Sequence, residues 1–545
     1  MRIAPARDLQ SGLTVGVVAL PLALAFGITS GLGAAAGLVT AIVAGVVAAV
    51  FGGSNVQVSG PTGAMTVVLV PIVAAYGANG VLVVGIMAGL LLLVMAFAGL
   101  GRYIRFVPLP VIEGFTLGIA VIIALQQVPA ALGQEGGGEQ VVLSAIDDLW
   151  AWLSAPQWPP LLLTMGTVVV ILGAARLRVR PAVPVALIAV VAATLLVQVA
   201  DIPVAAIGTL PPAIPAPHLP DFRWSDLRVL AAPALAVAAL AALESLLSAT
   251  VADAMSVSGR HDPDRELFGQ GLANIASPLF GGIPATAAIA RTAVNVRTGA
   301  VSRLAALVHA LVLVLVVVAL GTVVALIPLA VLAGVLIATA ARMVEVSSLR
   351  VLLRASRSDA IVLIVTFVAT VALDLATAVI LGIVVAGATA LRQVARSTSL
   401  TEMPLSDAAD SHTASERALL DEHIVAYRLD GPLFFGGAHS ALMELAEITD
   451  TRVVILRMSH MSTLDATGAA VLSDTIRGLE ARGTTVLVSG LPQRFLPQLE
   501  ATGIIDDLRT NNHLFDSTPA AIAHARRHVR RDNHHHGQRA VGDLP

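Results

Sequence analysis

The sequence predicts a polytopic α-helical membrane protein of two seven-span halves, the second inverted relative to the first, followed by a small soluble α/β domain. Three observations predict it. The 545 residues are 56% hydrophobic and only 13% charged, and apolar stretches long enough to cross a bilayer recur along most of the chain. Matching Gly-Gly and proline interruptions fall in the third apolar segment of each half. Near residue 393 the pattern changes to short buried strands alternating with helices.

Hydropathy marks about fourteen segments. The first seven lie near 10–29, 33–52, 61–76, 79–100, 108–132, 158–176 and 182–200. The second seven lie near 229–254, 265–280, 285–298, 302–326, 328–343, 359–374 and 376–393. The third and tenth are too short to cross the bilayer as helix alone. The first run continues into the second without an A-x-A-like cleavage site, so no cleaved signal peptide is expected.

Arginines set the orientation. Arg2, Arg7, Arg102, Arg105, the run at 176–180, Arg260, Arg265, Arg297, Arg303 and the group from Arg342 to Arg357 fall on one side. Only Arg223 and Arg228 depart from this, and the opposite loop 134–157 is acidic and has no arginine. The positive-inside rule then predicts cytoplasmic N- and C-termini and an even number of spans.

The expected domains are a transmembrane transport domain at 1–395, a polar linker at 396–420, a soluble domain at 421–530 and a basic, His-rich, disordered tail at 531–545. In the soluble domain, 423–429, 452–458 and 484–490 read as strands, and 437–448, 465–482, 492–501 and 517–530 as helices.

Composition excludes much chemistry. There is no cysteine and no lysine, so disulfides, thiolate catalysis and lysine-based chemistry are out. No Walker A pattern, HExxH or nucleophile elbow with a triad is present, so the chain does not read as an enzyme. No metal or organic cofactor is expected beyond a coupling H+ or Na+, and His534–His536 read as a surface tract. Nothing points to nucleic acid; the net charge of -3 carries no information on partners.

The interruptions carry the functional signal. No charged residue occurs from Leu9 to Gly101, yet Ser59-Gly60-Pro61-Thr62-Gly63 breaks the apolar run. A helix resuming near Pro61 exposes its first-turn N–H groups near mid-bilayer, backed by the positive end of its macrodipole. Gly281-Gly282-Ile283-Pro284 repeats the arrangement, with a helix expected from Thr286 or Ala287. Two such N-termini facing each other form an anion site, and broken helices at matching positions of inverted repeats mark a transporter's substrate site.

Glu244 is the most isolated carboxylate in a span, where an ionised side chain costs about 2.5–3.5 kcal/mol on insertion scales. It reads as a proton carrier or cation ligand, with Ser248 one turn on completing a polar site on the same face. Arg291 has two readings, a positive charge beside the anion or a side chain snorkelling to the cytoplasmic face. Glu113 reads as interfacial, and Asp374 and Asp253 as solvated at helix ends.

At these residues the chain resembles the sulfate permease (SulP) family, bacterial relatives of the animal solute-carrier anion exchangers. The resemblance rests on "VGVVALPLALAFGITSGL" (15–32), "QVSGPTGAMTVV" (57–68) and "DRELFGQGLANIASPLFGGIPATAAIARTAVNVRTGA" (264–300). The C-terminal part resembles a STAS domain through "LDGPLFFGGA" (429–438) and "MSTLDATGAAVL" (461–472).

The resemblance implies core and gate subdomains, elevator-like transport, a homodimer and residence in a bacterial cytoplasmic (inner) membrane. It implies an anion surrounded by Phe26, Thr62, Gly63, Ala64, Thr286, Ala287, Ala288 and Arg291, with Glu244 at the coupling position. Leu22 after Pro21 is similar to the sodium-dependent bicarbonate branch, whereas Glu244 is similar to proton-coupled members, including dicarboxylate carriers. Ala466 follows Asp465 where anti-sigma-factor antagonists place a phosphorylatable serine. A dimerisation or trafficking role, with a cytosolic protein partner, is therefore expected of the STAS domain rather than a phospho-switch.

The resulting expectation is a secondary active transporter of a small inorganic or carboxylate anion (sulfate, bicarbonate or a C4-dicarboxylate), proton- or sodium-coupled. The rivals are a nucleobase permease of similar fold, an uncoupled anion channel and a STAS-based membrane signalling scaffold.

Overall fold

The computed structural model describes residues 4–541 except 135–140, 178–182, 212, 222–223, 257–258, 374, 404–422, 436–437, 439–441 and 443–450. Asp374, most of the expected linker and the helix expected at 437–448 lie outside the described residues. The chain forms two compact units, Met1–Ala386 and Gly387–Pro545.

The first unit is helical. It opens with α1 (Pro5–Thr29), α2 (Ala34–Phe51) and α3 (Gly63–Phe97). α4 (Leu109–Gln126) and α5 (Val128–Leu132) form one interrupted rod, followed by α6 (Val141–Ser154), α7 (Trp158–Arg176) and α8 (Val185–Val199). α9 (Trp224–Met255), α10 (Pro263–Leu279), α11 (Ile289–Arg297) and α12 (Leu304–Val324) come next. α13 (Leu329–Met343), α14 (Val346–Ala355) and α15 (Arg357–Ala372) follow, and α16 (Leu375–Arg396) runs across the boundary at Ala386.

Among the described residues, nine helical stretches are long and apolar enough to cross a membrane. In lipid a helix closes its own backbone hydrogen bonds, which is why apolar runs of this length take that form. The third and fourth expected segments are one helix by hydrogen bonding, divided at Gly77 (φ 67, ψ -173), a conformation glycine adopts at no steric cost. Two amphipathic helices, α6 and α14, escaped the hydropathy reading because neither is an apolar run.

Packing sorts these helices into two groups. α1, α2, α3, α9, α10, α11 and α12 pack chiefly on one another, and α4, α5, α7, α13 and α15 form the second. Small residues allow close crossings in the first group: a Cβ at Gly27 would lie 2.7 Å from the Gly37 nitrogen. Two connections between the groups are tied together. Ile207 N donates to Ile327 O at 3.0 Å, Gly208 N to Ala325 O at 3.1 Å and Leu329 N to Ala205 O at 2.9 Å.

The first unit also holds two short strands, β1 (Ser59–Gly60) and β2 (Thr286–Ala287), and the second unit is a five-stranded sheet whose strands pair in chain order. Its strands are β3 (Ser399–Met403), β4 (Ile424–Leu433), β5 (Val453–Leu464), β6 (Thr485–Ser489) and β7 (Leu514–Phe515). β3 is antiparallel to β4 and the remaining pairs are parallel. Helices α17 (Ala466–Ala481), α18 (Leu496–Glu500), α19 (Ile504–Thr510) and α20 (Thr518–Val541) complete the described part.

Two expectations are corrected here. Ser399–Met403, expected as linker, is an edge strand, because its polar residues pair with β4 through the backbone alone. The tail at 531–545, expected as disordered, continues α20 as helix to Val541. No proline interrupts the backbone between Arg531 and Val541.

Candidate functional site

The two interruptions meet. Ser59–Gly60 (β1) and Thr286–Ala287 (β2) pair antiparallel, Ser59 opposite Ala287 and Gly60 opposite Thr286. Ala288 N extends the pairing by donating to Val58 O at 3.1 Å. Pro61 and Pro284 disfavour helix in the residues before them, and the pairing satisfies backbone groups that lipid cannot. This corrects the expected start of the tenth segment. The helix begins at Ile289 with Ala288 as its cap, because Thr286 and Ala287 are committed to the strand.

α3 begins at Gly63, with Thr62 as N-cap; Thr62 Oγ1 accepts from Met65 N at 3.4 Å. The first-turn amides of Gly63 and Ala64, and those of Ile289 and Ala290, have no acceptor within their own helices. Both helix starts therefore present donors to the same region.

Glu244, on α9, joins the two openings. Thr62 Oγ1 donates to Glu244 Oε2 at 2.9 Å, and Thr286 Oγ1 donates to the same oxygen at 2.6 Å. The next residue, Ser245, accepts from Ala287 N on Oγ at 3.1 Å and from Gln57 Nε2 on its carbonyl at 2.7 Å. Ser248 is buried, and its hydroxyl donates to Thr292 Oγ1 at 3.2 Å rather than to the Glu244 carboxylate. Thr292 Oγ1 in turn accepts from Val58 N at 3.1 Å. One face of α9 thus fastens both breaks, with Ser248 acting in that fastening.

α10 fastens them again from another side. Glu266, Gln270, Asn274 and Ser277 are buried at successive turns of its inner face. Glu266 Oε2 accepts from Gly53 N at 2.9 Å and Ser54 N at 3.2 Å. Gln270 Nε2 donates to Ser59 Oγ at 2.8 Å and to Glu266 Oε1 at 2.9 Å. Asn274 Nδ2 donates to Ala285 O at 2.8 Å while its Oδ1 accepts from Ala285 N at 2.9 Å. Ser277 Oγ donates to Ile283 O at 2.8 Å. This polar stripe was not singled out from the sequence. Its signal was present as Gln and Asn four residues apart in a membrane segment, where such side chains hydrogen-bond across helices.

Arg291 is 2% exposed, which excludes snorkelling. Its Nη2 donates to Pro61 O at 2.7 Å, and its Nη1 lies against Gly60, where a Cβ would come within 2.7 Å. Gly60 has φ 155. The guanidinium therefore stands at the junction of the two breaks. Phe26 is buried behind Gly63: a Cβ on that glycine would lie 3.2 Å from Phe26 Cε1.

A cavity of about 70 Å³ opens beside this junction, lined among others by Ala64, Glu244 and Ile289 from the first packing group and Val111, Phe115 and Met343 from the second. At roughly 10–15 Å³ per water it holds several waters or one small solute. It is walled mainly by apolar side chains, with the Glu244 carboxylate as its charged group. The remaining acids sit elsewhere. Glu113 accepts from Ser348 Oγ at 2.7 Å, and Asp253 holds His261 through Nδ1 at 2.7 Å.

Comparison with known proteins follows the two units. Residues 6–366 match the sulfate permease family and residues 418–521 the STAS domain. The Bacillus subtilis protein YvdB, proposed to be a sulfate transporter, is 36% identical over 529 residues, 94% of this chain and 96% of that one. The bicarbonate transporter BicA of Picosynechococcus is 31% identical over 515 residues, 90% of each chain. The solved transmembrane domain of a cyanobacterial BicA superposes with a TM-score of 0.62 at 33% identity, over 70% of this chain and 97% of that one. The murine anion transporter Slc26a9 in its inward-facing state shares the fold, with a TM-score of 0.81 at 18% identity over 96% and 92% of the two chains.

Proposed function

The chain belongs to the sulfate permease family and carries a C-terminal STAS domain, and from that premise we propose that it is a secondary active transporter of a small oxyanion or carboxylate. The observation that carries this reading is the Glu244 carboxylate bonded to both Thr62 and Thr286. The anion binds in the cavity before the two helix starts, held by the first-turn amides and by the Arg291 charge. Of the expected site residues Ala64 lines that cavity, Thr62 and Thr286 reach it through Glu244, and Phe26, Gly63, Ala287 and Ala288 are the proposed surroundings of the same junction.

An ionised Glu244 at the same junction repels an anion, because two like charges in a low-dielectric site destabilise each other strongly. A proton or sodium ion on the carboxylate removes the repulsion. Cation and anion therefore load together, which is the logic of symport. The helix-starting group serves as a moving core and the α4, α5, α7, α13, α15 group as a gate, in an elevator-like cycle. The cavity's position, with walls from both groups, supports this division. The two breaks in matching surroundings support a seven-plus-seven inverted repeat, and the arginine distribution supports cytoplasmic termini. The reading includes a homodimer, with the STAS domain available to a cytosolic partner.

Sulfate, bicarbonate and C4-dicarboxylates all suit two helix N-termini. BicA's name favours bicarbonate and YvdB's favours sulfate. Purified protein in vesicles is tested with labelled sulfate, bicarbonate and fumarate under imposed proton or sodium gradients. Accumulation of one of them under one gradient is expected. No movement of any of the three under either gradient overturns the reading.

A further inference from the structure

We propose that α6 is an interfacial anchor whose apolar face lies in the boundary between lipid headgroups and acyl chains. Leu143, Ile146, Leu149, Trp150 and Leu153 fall on one stripe of this helix and are each 46% to 66% exposed. The side turned to the protein holds Ala145, which is buried. A helix on a water-soluble surface turns its apolar stripe inward. This one turns it outward, so an apolar medium covers it.

The bilayer is that medium. The spanning helix that follows, α7, exposes Leu162, Met165 and Val169, as a helix does on its lipid-facing side, and the α6 stripe is exposed in the same way. At 14 residues, about 21 Å of helix, α6 is too short to cross the hydrocarbon core, and Asp147 and Asp148 lie near its middle. Three of the chain's four tryptophans are Trp150, Trp152 and Trp158, the residue type enriched at the membrane–water boundary.

Two contacts tie the helix end to α7. Trp152 Nε1 donates to Gln157 O at 3.1 Å, and the Trp152 and Trp158 rings meet edge to face at 5.1 Å. Trp150 is the most exposed of the three. α6 carries acidic residues and no arginine. Its seating therefore comes from apolar burial and is indifferent to anionic headgroups.

The test uses the full chain with Trp152, Trp158 and Trp224 changed to Phe, so that Trp150 alone fluoresces. It is reconstituted into phosphatidylcholine vesicles with or without bromine on the upper acyl chain. The expected result is loss of most Trp150 emission in brominated lipid, little loss with aqueous iodide, and no change when anionic lipid is added. Quenching by iodide but not bromine means the face is in water, and quenching by neither means protein covers it, for instance a second copy. Either overturns the proposal. Should that variant not fold, the absence of native cysteine makes Leu149→Cys a single labelling site. A spin label there is expected to be relaxed by oxygen more than by a water-soluble nickel chelate, and the reverse overturns the proposal.

Discussion

Thr62 and Thr286 are 224 residues apart in the chain, yet their hydroxyl oxygens lie 3.1 Å from each other, and both donate to one oxygen of Glu244. Two broken helices and one carboxylate therefore form a single hydrogen-bonded unit. A change at any one of the three is felt by the other two.

Glu244→Gln keeps the shape of the side chain and removes its charge. Hydrogen bonds to a charged group contribute about 1.5–3 kcal/mol, or roughly 10–100-fold in an equilibrium. Gradient-driven accumulation is expected to fall by at least about tenfold, while exchange of labelled for unlabelled anion across the vesicle persists. Unchanged gradient dependence in this variant removes Glu244 from coupling.

Asn274→Leu leaves both the N–H and the C=O of Ala285 without their partners. An unsatisfied buried group costs about 1–3 kcal/mol, so the variant is expected to melt earlier in detergent and to lose uptake. Gln270→Leu removes the bond to Ser59 and one bond to Glu266 and is expected to be milder. Thermal unfolding of the three proteins side by side checks the order.

Gly63 has no room for a side chain. A Cβ there would lie 3.2 Å from both Phe26 Cε1 and Ile123 Cγ1, with Ile123 Cδ1 nearer still. Overpacking of this kind costs about 1–3 kcal/mol. Gly63→Leu is expected to abolish uptake while inserting normally into the membrane, and Gly63→Ala to reduce it. Adding Ile123→Ala to Gly63→Ala is expected to restore part of the loss, a coupling that a double-mutant cycle of uptake rates measures.

In the sheet unit, burial, reinforced by His524 and His528, holds the His513 imidazole below its ordinary value of 6.5. The folded state then binds fewer protons than the unfolded chain, so stability falls as pH drops through about 6.5. His513→Gln is expected to remove that part of the acid sensitivity. Hydrogen exchange at Val488 N, which donates to the His513 carbonyl, compared at pH 7.5 and 5.5 in both proteins, reads the difference.

Much of this site is legible in the sequence. Glycine and proline in an uncharged run announced both breaks, and the isolation of Glu244 in its span singled out the carboxylate that bonds to both of them. The pairing of the breaks was not legible, because two-residue strands carry no periodicity. Nor were the roles of Gln270 and Asn274, since hydropathy registers them only as a weaker span and not as partners of particular carbonyls. α6 was hidden for the opposite reason. Its aspartates and the acidic residues before it made the segment read as loop, although its leucines and tryptophans were already spaced for a helix.

The stripe on α10 has a practical consequence. Its side chains grip the Ser59 hydroxyl and backbone atoms of the broken segments, whereas Ala64 and Ile289, which meet the cavity, take no part in that grip. Glu244 apart, which lines the cavity and also holds Thr62 and Thr286, scaffold and lining are thus separate sets of residues. An engineer who recuts the lining to favour a larger or smaller cargo works on a surface whose shape is secured from behind.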